Sequence, residues 1–226
     1  MKVTVIQNST YGSAGLVEKF IRAKGWSCRR TLSPKDIVAT DLSNVVDDVV
    51  VFLGSRRGVY ETHVQWIARE RALMKRLVDN AVPVFGICFG AQLLATALGG
   101  TVSPMGHTYR GWMANAIASA PVWHGPWLRW HGDFITLPGN MKVLARDNNT
   151  VQAFERGNAV GVQFHPEVSN AVLRDWCAYR AAMPAEDQRS LDIALRYADD
   201  HAAEIEKRAF ALFDNIFDKI SGKAFA

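Results

Sequence analysis

An α/β fold is predicted: an open, doubly wound, mostly parallel sheet with helices on both faces, plus a small antiparallel part. Three observations carry that prediction. Short, wholly apolar runs such as Val49 to Leu53 read as strands buried on both sides of a sheet. Stretches with helical spacing of apolar residues lie between them, so strand and helix alternate along the first hundred residues. With 226 residues, 49% hydrophobic and 21% charged, the chain has the make-up of a globular protein. That length suits one domain, 1–226, with C-terminal helices over about 170–220.

Taken in order, Lys2 to Gln7 reads as the first strand and Gly15 to Lys24 as its helix. Ser27 to Leu32 is a second strand, in which Cys28 fills core. Val49 to Leu53 is the third. A long helix follows from about Glu61 to Asp79, with Val64, Ile67, Ala68, Leu73, Leu77 and Val78 near one face. Val82 to Phe85 is the fourth strand, and Leu93 to Leu98 a helix stopped by Gly99-Gly100. From Thr101 to Val168 the segments are shorter and alternating, with Gly, Pro and Asn punctuation. They read as an antiparallel part and a return to the main sheet ending at His165. Ala185 to Ile220 carries Leu191, Leu195, Ala198, Ala202, Ile205, Ala209, Leu212, Phe213 and Ile216 at helical spacing, a stripe that packs on the body or on a second copy.

Composition removes several classes of function. The net charge is only +4 and the basic residues are scattered, which argues against a nucleic-acid partner. No apolar run approaches the ~20 residues needed to span a bilayer, which argues against a membrane. The three cysteines, Cys28, Cys88 and Cys177, are odd in number and lack metal-ligand spacing. Disulfides, a metal site and a cofactor are therefore not expected, and a reducing, cytoplasmic setting is.

The chemistry concentrates in two runs. In Phe85-Gly86-Ile87-Cys88-Phe89-Gly90-Ala91-Gln92, Cys88 falls on the sharp turn from strand to helix, flanked by glycines at two-residue spacing. Those glycines leave room for the strained backbone such a turn requires. A helix N-terminus favours a thiolate, and its free N–H groups can hold an oxyanion. In Gly161-Val162-Gln163-Phe164-His165-Pro166-Glu167 a base and a carboxylate stand two residues apart after an apolar run. Strand alternation would put both on one side, letting Glu167 orient His165 and His165 serve Cys88.

On these motifs the chain resembles the class I glutamine amidotransferases, in particular stand-alone domains similar to the glutaminase half of GMP synthase. The resemblance runs from about Val45 to Val168, with further matches at Trp130-His131-Gly132-Asp133 and Gln152-Ala153-Phe154. It implies a flavodoxin-like sheet and a Cys88–His165–Glu167 triad. It also implies an oxyanion hole from the Phe89 N–H and a second N–H in the loop after the third strand, at Ser55. Substrate contacts would come from Gly54, Arg56, Gln92, His131, Gly132 and Asp133. Relatives usually show two glycines and a proline in that loop, whereas this chain has Gly54-Ser55-Arg56-Arg57-Gly58. Ser55 carries a Cβ and resists positive φ, so the hole either forms with another peptide orientation or waits for a partner or substrate to rearrange it.

Other assignments stay open at this point. Arg56 and Arg57 either grip a substrate carboxylate or are solvated loop charges. Gln92 is a pocket residue or a plain helix-surface one, and Asp133 a pocket residue or a turn former. His107, Tyr109, Trp112, Trp123, His124, Trp127 and Trp130 fill gaps or wall a pocket for a bulky leaving group. The resemblance implies hydrolysis of a small-molecule γ-glutamyl amide, either glutamine or a conjugate of a larger amine. The alternatives are a glutaminase delivering ammonia to a separate synthase, and a non-catalytic binding or regulatory subunit. A homo-oligomer is also open.

Overall fold

The computed structural model describes residues 1–10, 12–39, 47–148 and 150–222, apart from the side chains of residues 30–33. Residues 45 and 46, where the resemblance begins, lie outside that set. In chain order the elements are β1 (Lys2–Gln7), α1 (Gly15–Ala23), β2 (Ser27–Leu32), α2 (Ser33–Ala39), β3 (Val49–Phe52) and α3 (Gln65–Asp79). Next come β4 (Val84–Ile87), α4 (Phe89–Ala97), β5 (Thr101–Met113), β6 (Ile117–Ala118) and β7 (Trp127–Thr136). The last are β8 (Lys142–Arg146), β9 (Val151–Arg156), β10 (Ala159–Val162), α5 (Asn170–Cys177), α6 (Ala185–Asp200) and α7 (Ala202–Ile220).

The main sheet runs β2-β1-β3-β4-β10-β9-β8-β6. Its first five strands are parallel, and β9, β8 and β6 extend it antiparallel. A separate antiparallel pair, β5 and β7, forms the second sheet. This is the doubly wound arrangement expected from the alternation of apolar strands and helices.

Period-two alternation splits the strand residues between two cores. Val3, Val5, Val49, Val51, Phe85 and Ile87 face one core with α1, α6 and α7. Ile6, Val50, Phe52 and Val84 face the other with α3 and α4. Phe20 of α1 sits among Trp26, Phe210, Phe213 and Phe217, ring centroids 5.3 to 5.8 Å apart. Burying each such ring contributes roughly 1.5–3 kcal/mol, so α7 is anchored to the sheet and the C-terminal stripe packs on the body.

Several boundaries differ from expectation. The fourth strand is Val84–Ile87, not Val82 to Phe85. Pro83 cannot donate to a ladder, and the Val82 N–H is spent on the Leu77 carbonyl. The helix after Cys88 begins at Phe89, four residues early. The helix expected from Glu61 begins at Gln65, because residues 58–64 form turns in which Glu61 accepts from the Gly58 N–H at 2.8 Å. The C-terminal stripe belongs to two helices, broken at His201 (φ −122°, ψ 23°). Segments β5 and β7, with 13 and 10 residues, are longer than the short strands expected there.

Candidate active site

The carboxyl ends of the parallel strands meet at a cavity of about 440 Å³, lined by Gly54, Cys88, Gln92, His131, Asp133 and His165 among others. Open α/β sheets place ligands at this edge. Cys88 caps α4 with φ 52° and ψ −105°, a conformation costly for a residue with a Cβ. The strain sits on the cysteine itself, not on its flanking glycines, which do not have positive φ. Those glycines are required by close approach instead. A Cβ on Gly86 would lie 2.5 Å from the Gly90 carbonyl oxygen, and one on Gly90 2.3 Å from that of Phe52. The elbow is therefore pressed against β3, and the Cys88 N–H donates to the Val162 carbonyl at 2.8 Å.

The second motif reaches the same corner by a different route from the one expected. β10 ends at Val162, so His165 and Glu167 do not share a strand face. They meet across a turn: His165 Nδ1–H donates to Glu167 Oε1 at 2.7 Å. Backbone bonds hold the turn. The His165 N–H donates to the Leu128 carbonyl, and the Leu16 N–H to the Glu167 carbonyl, both at 2.8 Å. Gly15 permits the latter contact. It has φ +46°, and a Cβ there would stand 2.2 Å from that carbonyl oxygen.

Electrostatics fit the grouping. Burial pulls the His165 imidazole down, but the Glu167 carboxylate and the Cys88 sulphur outweigh it and hold the ring well above its ordinary pKa. His165 is thus an imidazolium at neutral pH. Trp176 of α5 packs edge-on against the ring at 5.7 Å. Gly54 lies beside the pair, where a Cβ would meet His165 Cε1 at 3.1 Å and Cys88 Cβ at 3.7 Å.

The remaining expected residues are sorted by the structure. Ser55 does not adopt positive φ, so its Cβ costs nothing, and its Oγ accepts from the Arg57 N–H at 3.1 Å. Arg56 and Arg57 both line the cavity; Arg57 pairs with Glu61, and Arg56 lies 6.0 Å over the Tyr179 ring. Gln92 is buried and lines the cavity, which rules out a helix-surface role. Asp133 lies within β7, not in a turn, and accepts from the Tyr60 hydroxyl at 3.3 Å. Burial pushes the Asp133 carboxyl up, against the Tyr60 bond that favours its charge. Burial likewise drives His131 down to about 4, so its ring is neutral. Its Nδ1–H donates to the Asp133 carbonyl at 3.0 Å, leaving the buried Nε2 without a partner. Gly132 faces Thr108 of β5, 3.1 Å from where a Cβ would stand.

Among the aromatic residues, Trp123 and Trp127 are core, while Trp130 lines the cavity. Residues outside the motifs complete the wall: Tyr60, Trp176, Tyr179, Met183 and Asp187. Only folding reveals them, since Tyr179 to Asp187 follow the second motif in an alanine-rich stretch with no motif of its own. Gln163 was legible as part of a motif but not as a neighbour of the Cys88 sulphur, 3.6 Å from its Nε2. Among the described residues no group of three or more His, Cys, Asp or Glu could hold a metal ion, and no helix is long and apolar enough to cross a membrane.

Comparison with known proteins bears on this geometry. The family model described as "Glutamine amidotransferase class-I" matches residues 34–175. The chain is similar to the GMP synthase [glutamine-hydrolyzing] of Thermomicrobium roseum, 34% identical over 157 residues that cover 66% of this chain and 26% of that protein. A Bacillus cereus GMP synthase is 31% identical over 153 residues, 62% of this chain and 28% of that one. The match therefore spans little more than a quarter of these synthases. Among solved structures, a glutamine amidotransferase from Thermotoga maritima superposes with TM-score 0.84 at 25% identity, covering 96% of this chain and 97% of the other. One from Methylobacillus flagellatus gives 0.82 at 22% identity, covering 96% and 94%, a likeness of fold.

Proposed function

We infer the function of this chain from the premise that it belongs to the class I glutamine amidotransferase family: it hydrolyses a γ-glutamyl amide through a thioester on Cys88. The observation that carries this reading is the convergence of the Cys88 elbow with an imidazolium held by Glu167 at 2.7 Å. The sulphur attacks the amide carbon, and the carbonyl oxygen takes up the negative charge. The Phe89 N–H, in the first turn of α4 where helix donors lack intrahelical partners, and the Ser55 N–H would receive that oxyanion. His165 then gives its proton to the leaving nitrogen as the C–N bond breaks, leaving a γ-glutamyl thioester. Water gives a proton back to His165 while its oxygen attacks the thioester carbonyl; collapse frees glutamate and restores the sulphur–imidazolium pair.

Gln92, Asp133, His131 and Gly132, with Gly54 and Arg56, would hold the glutamyl group. The outer wall of Tyr179, Met183 and Asp187 supports a substrate with a substituent beyond the carboxamide; a reducing, cytoplasmic setting would suit the free Cys88 thiol. The matches to part of GMP synthase favour a second reading, in which glutamine is the substrate and ammonia passes to a separate synthase. Glutamate release from glutamine and from several N-substituted γ-glutamyl amides, beside a Cys88→Ala control, separates them. Turnover of substituted amides with poor use of glutamine supports the first. Slow turnover of everything, raised by a second protein, supports the second. Near-normal turnover in Cys88→Ala contradicts both. No release from any amide, together with no covalent labelling of Cys88, would leave a non-catalytic subunit.

A further inference from the structure

Gln163 and Gln92 form a buried relay that ends on the sulphur. The Gln163 side chain is fully buried one residue past β10, and its backbone N–H donates to the Gln152 carbonyl at 2.8 Å. The neighbouring Val162 carbonyl accepts from the Cys88 N–H, so the two backbones are latched side by side. Gln163 Nε2 stands 3.6 Å from Cys88 Sγ, and Gln163 Oε1 accepts from Gln92 Nε2 at 3.2 Å.

The chemistry of the sulphur fixes the direction of this chain. A thiolate accepts hydrogen bonds and cannot donate them, so the NH₂ end of Gln163 must face it. Gln92 must then turn its own NH₂ toward Gln163, which leaves the Gln92 carbonyl oxygen for whatever enters the cavity it lines. Each amide thus has its orientation set by the next group.

We propose that Gln163 is a catalytic residue: besides His165 it is a second hydrogen-bond donor to the Cys88 thiolate, holding the nucleophile in register and tying it to Gln92. This rests on Cys88 being the nucleophile. Hydrogen bonds to charged groups are about twice as strong as neutral ones, so this bond weakens when the sulphur becomes neutral. The Gln163 bond therefore favours the free thiolate, both before attack and when the thioester breaks down. The titratable groups around this corner are His165, backed by Glu167, and from β7 the neutral His131. Gln163 is itself uncharged, so its bond varies with pH only through the charge on the sulphur.

The test follows the rate of Cys88 alkylation by iodoacetamide against pH, which needs no substrate, in the wild type, Gln163→Met and Gln163→Glu. The first variant removes the donor. The second keeps the size and an oxygen for Gln92 but turns an anion toward the sulphur. The midpoint is expected to rise by about one pH unit in Gln163→Met, a tenfold slower alkylation below the midpoint, and by more in Gln163→Glu. The kcat for any turned-over amide should fall by similar factors with KM little changed. A purely structural Gln163 would lower Tm and leave the midpoint alone. That result, or Gln163→Glu alkylating like the wild type at every pH, overturns the proposal. Should Gln163→Met not fold, the isosteric Gln163→Glu carries the test by itself. Failure of every amide substrate with the alkylation shifts intact would count against the hydrolase reading and not against this one.

Discussion

The floor of the cavity and its outer wall are built by different means. The floor, comprising Gly54, Cys88, His165 and Glu167, hangs from the ends of β3, β4 and β10. Main-chain hydrogen bonds and glycines packed against carbonyl oxygens position it. The wall is the β5–β7 pair with the segment from Trp176 to Asp187, and side chains dock it. Arg110 of β5 pairs with Asp187 and Glu186, the Trp112 indole N–H donates to the Ala194 carbonyl at 3.0 Å, and Trp112 stacks on Tyr197. Main-chain bonds survive most substitutions because every residue but proline supplies the same groups, but glycines packed against carbonyl oxygens admit no Cβ, and that restricts the floor. A side-chain dock changes one residue at a time, so the wall is where substrate preference can vary while the chemistry stays fixed.

Substitutions that hit one region and spare the other would sharpen that division. The largest effect is expected in the floor. Glu167→Gln keeps a hydrogen-bond acceptor for His165 but removes the charge that overcomes burial. Turnover should fall about 10²- to 10⁴-fold, the upper figure being the cost of neutralising the orienting carboxylate in a serine triad. The sign of the pH effect follows from the same balance. His165 is held protonated above its ordinary pKa, so activity needing the imidazolium is lost as pH rises through that raised value. In Glu167→Gln the Cys88 sulphur alone opposes burial, and the loss should come at lower pH. An unchanged alkaline limb would mean the carboxylate does not act on the ring.

A smaller effect is expected in the wall. Arg110→Met unties Asp187 and Glu186 from β5 while keeping the apolar stem. It should raise KM for a bulky γ-glutamyl amide by about 3- to 10-fold, the loss of roughly 1 kcal/mol of docking, with kcat and Cys88 alkylation unaltered. A fall in kcat as large as that of Glu167→Gln would show that wall and floor are one unit.

The same contrast explains what the sequence disclosed. β1 reads to the residue because a mainly apolar run bounded by polar residues leaves little choice; β2, Ser27–Leu32, also has the expected bounds although it is mostly polar. Cys88, His165 and Glu167 were legible because glycine at a close backbone approach and a short His-Pro-Glu run are local signals. The reason given for the last pair was nevertheless wrong: Pro166 and Glu167 make a turn, and that turn, not strand alternation, brings carboxylate to imidazole. Asp187 could not be foreseen. Its place depends on an ion pair with Arg110, 77 positions earlier, and on the break at His201 that lets α6 lie along β5 while α7 packs on the sheet.

The account stands on Cys88 forming a bond to the glutamyl carbonyl. The most direct measurement is the mass of the intact protein and of its Cys88 peptide after rapid acid quenching during turnover of a γ-glutamyl amide. A gain equal to one glutamyl residue on the Cys88 peptide, released by hydroxylamine and absent in Cys88→Ala, is the predicted result. Turnover at full rate with no mass added to Cys88 at any quench time, and undiminished in Cys88→Ala, would contradict it.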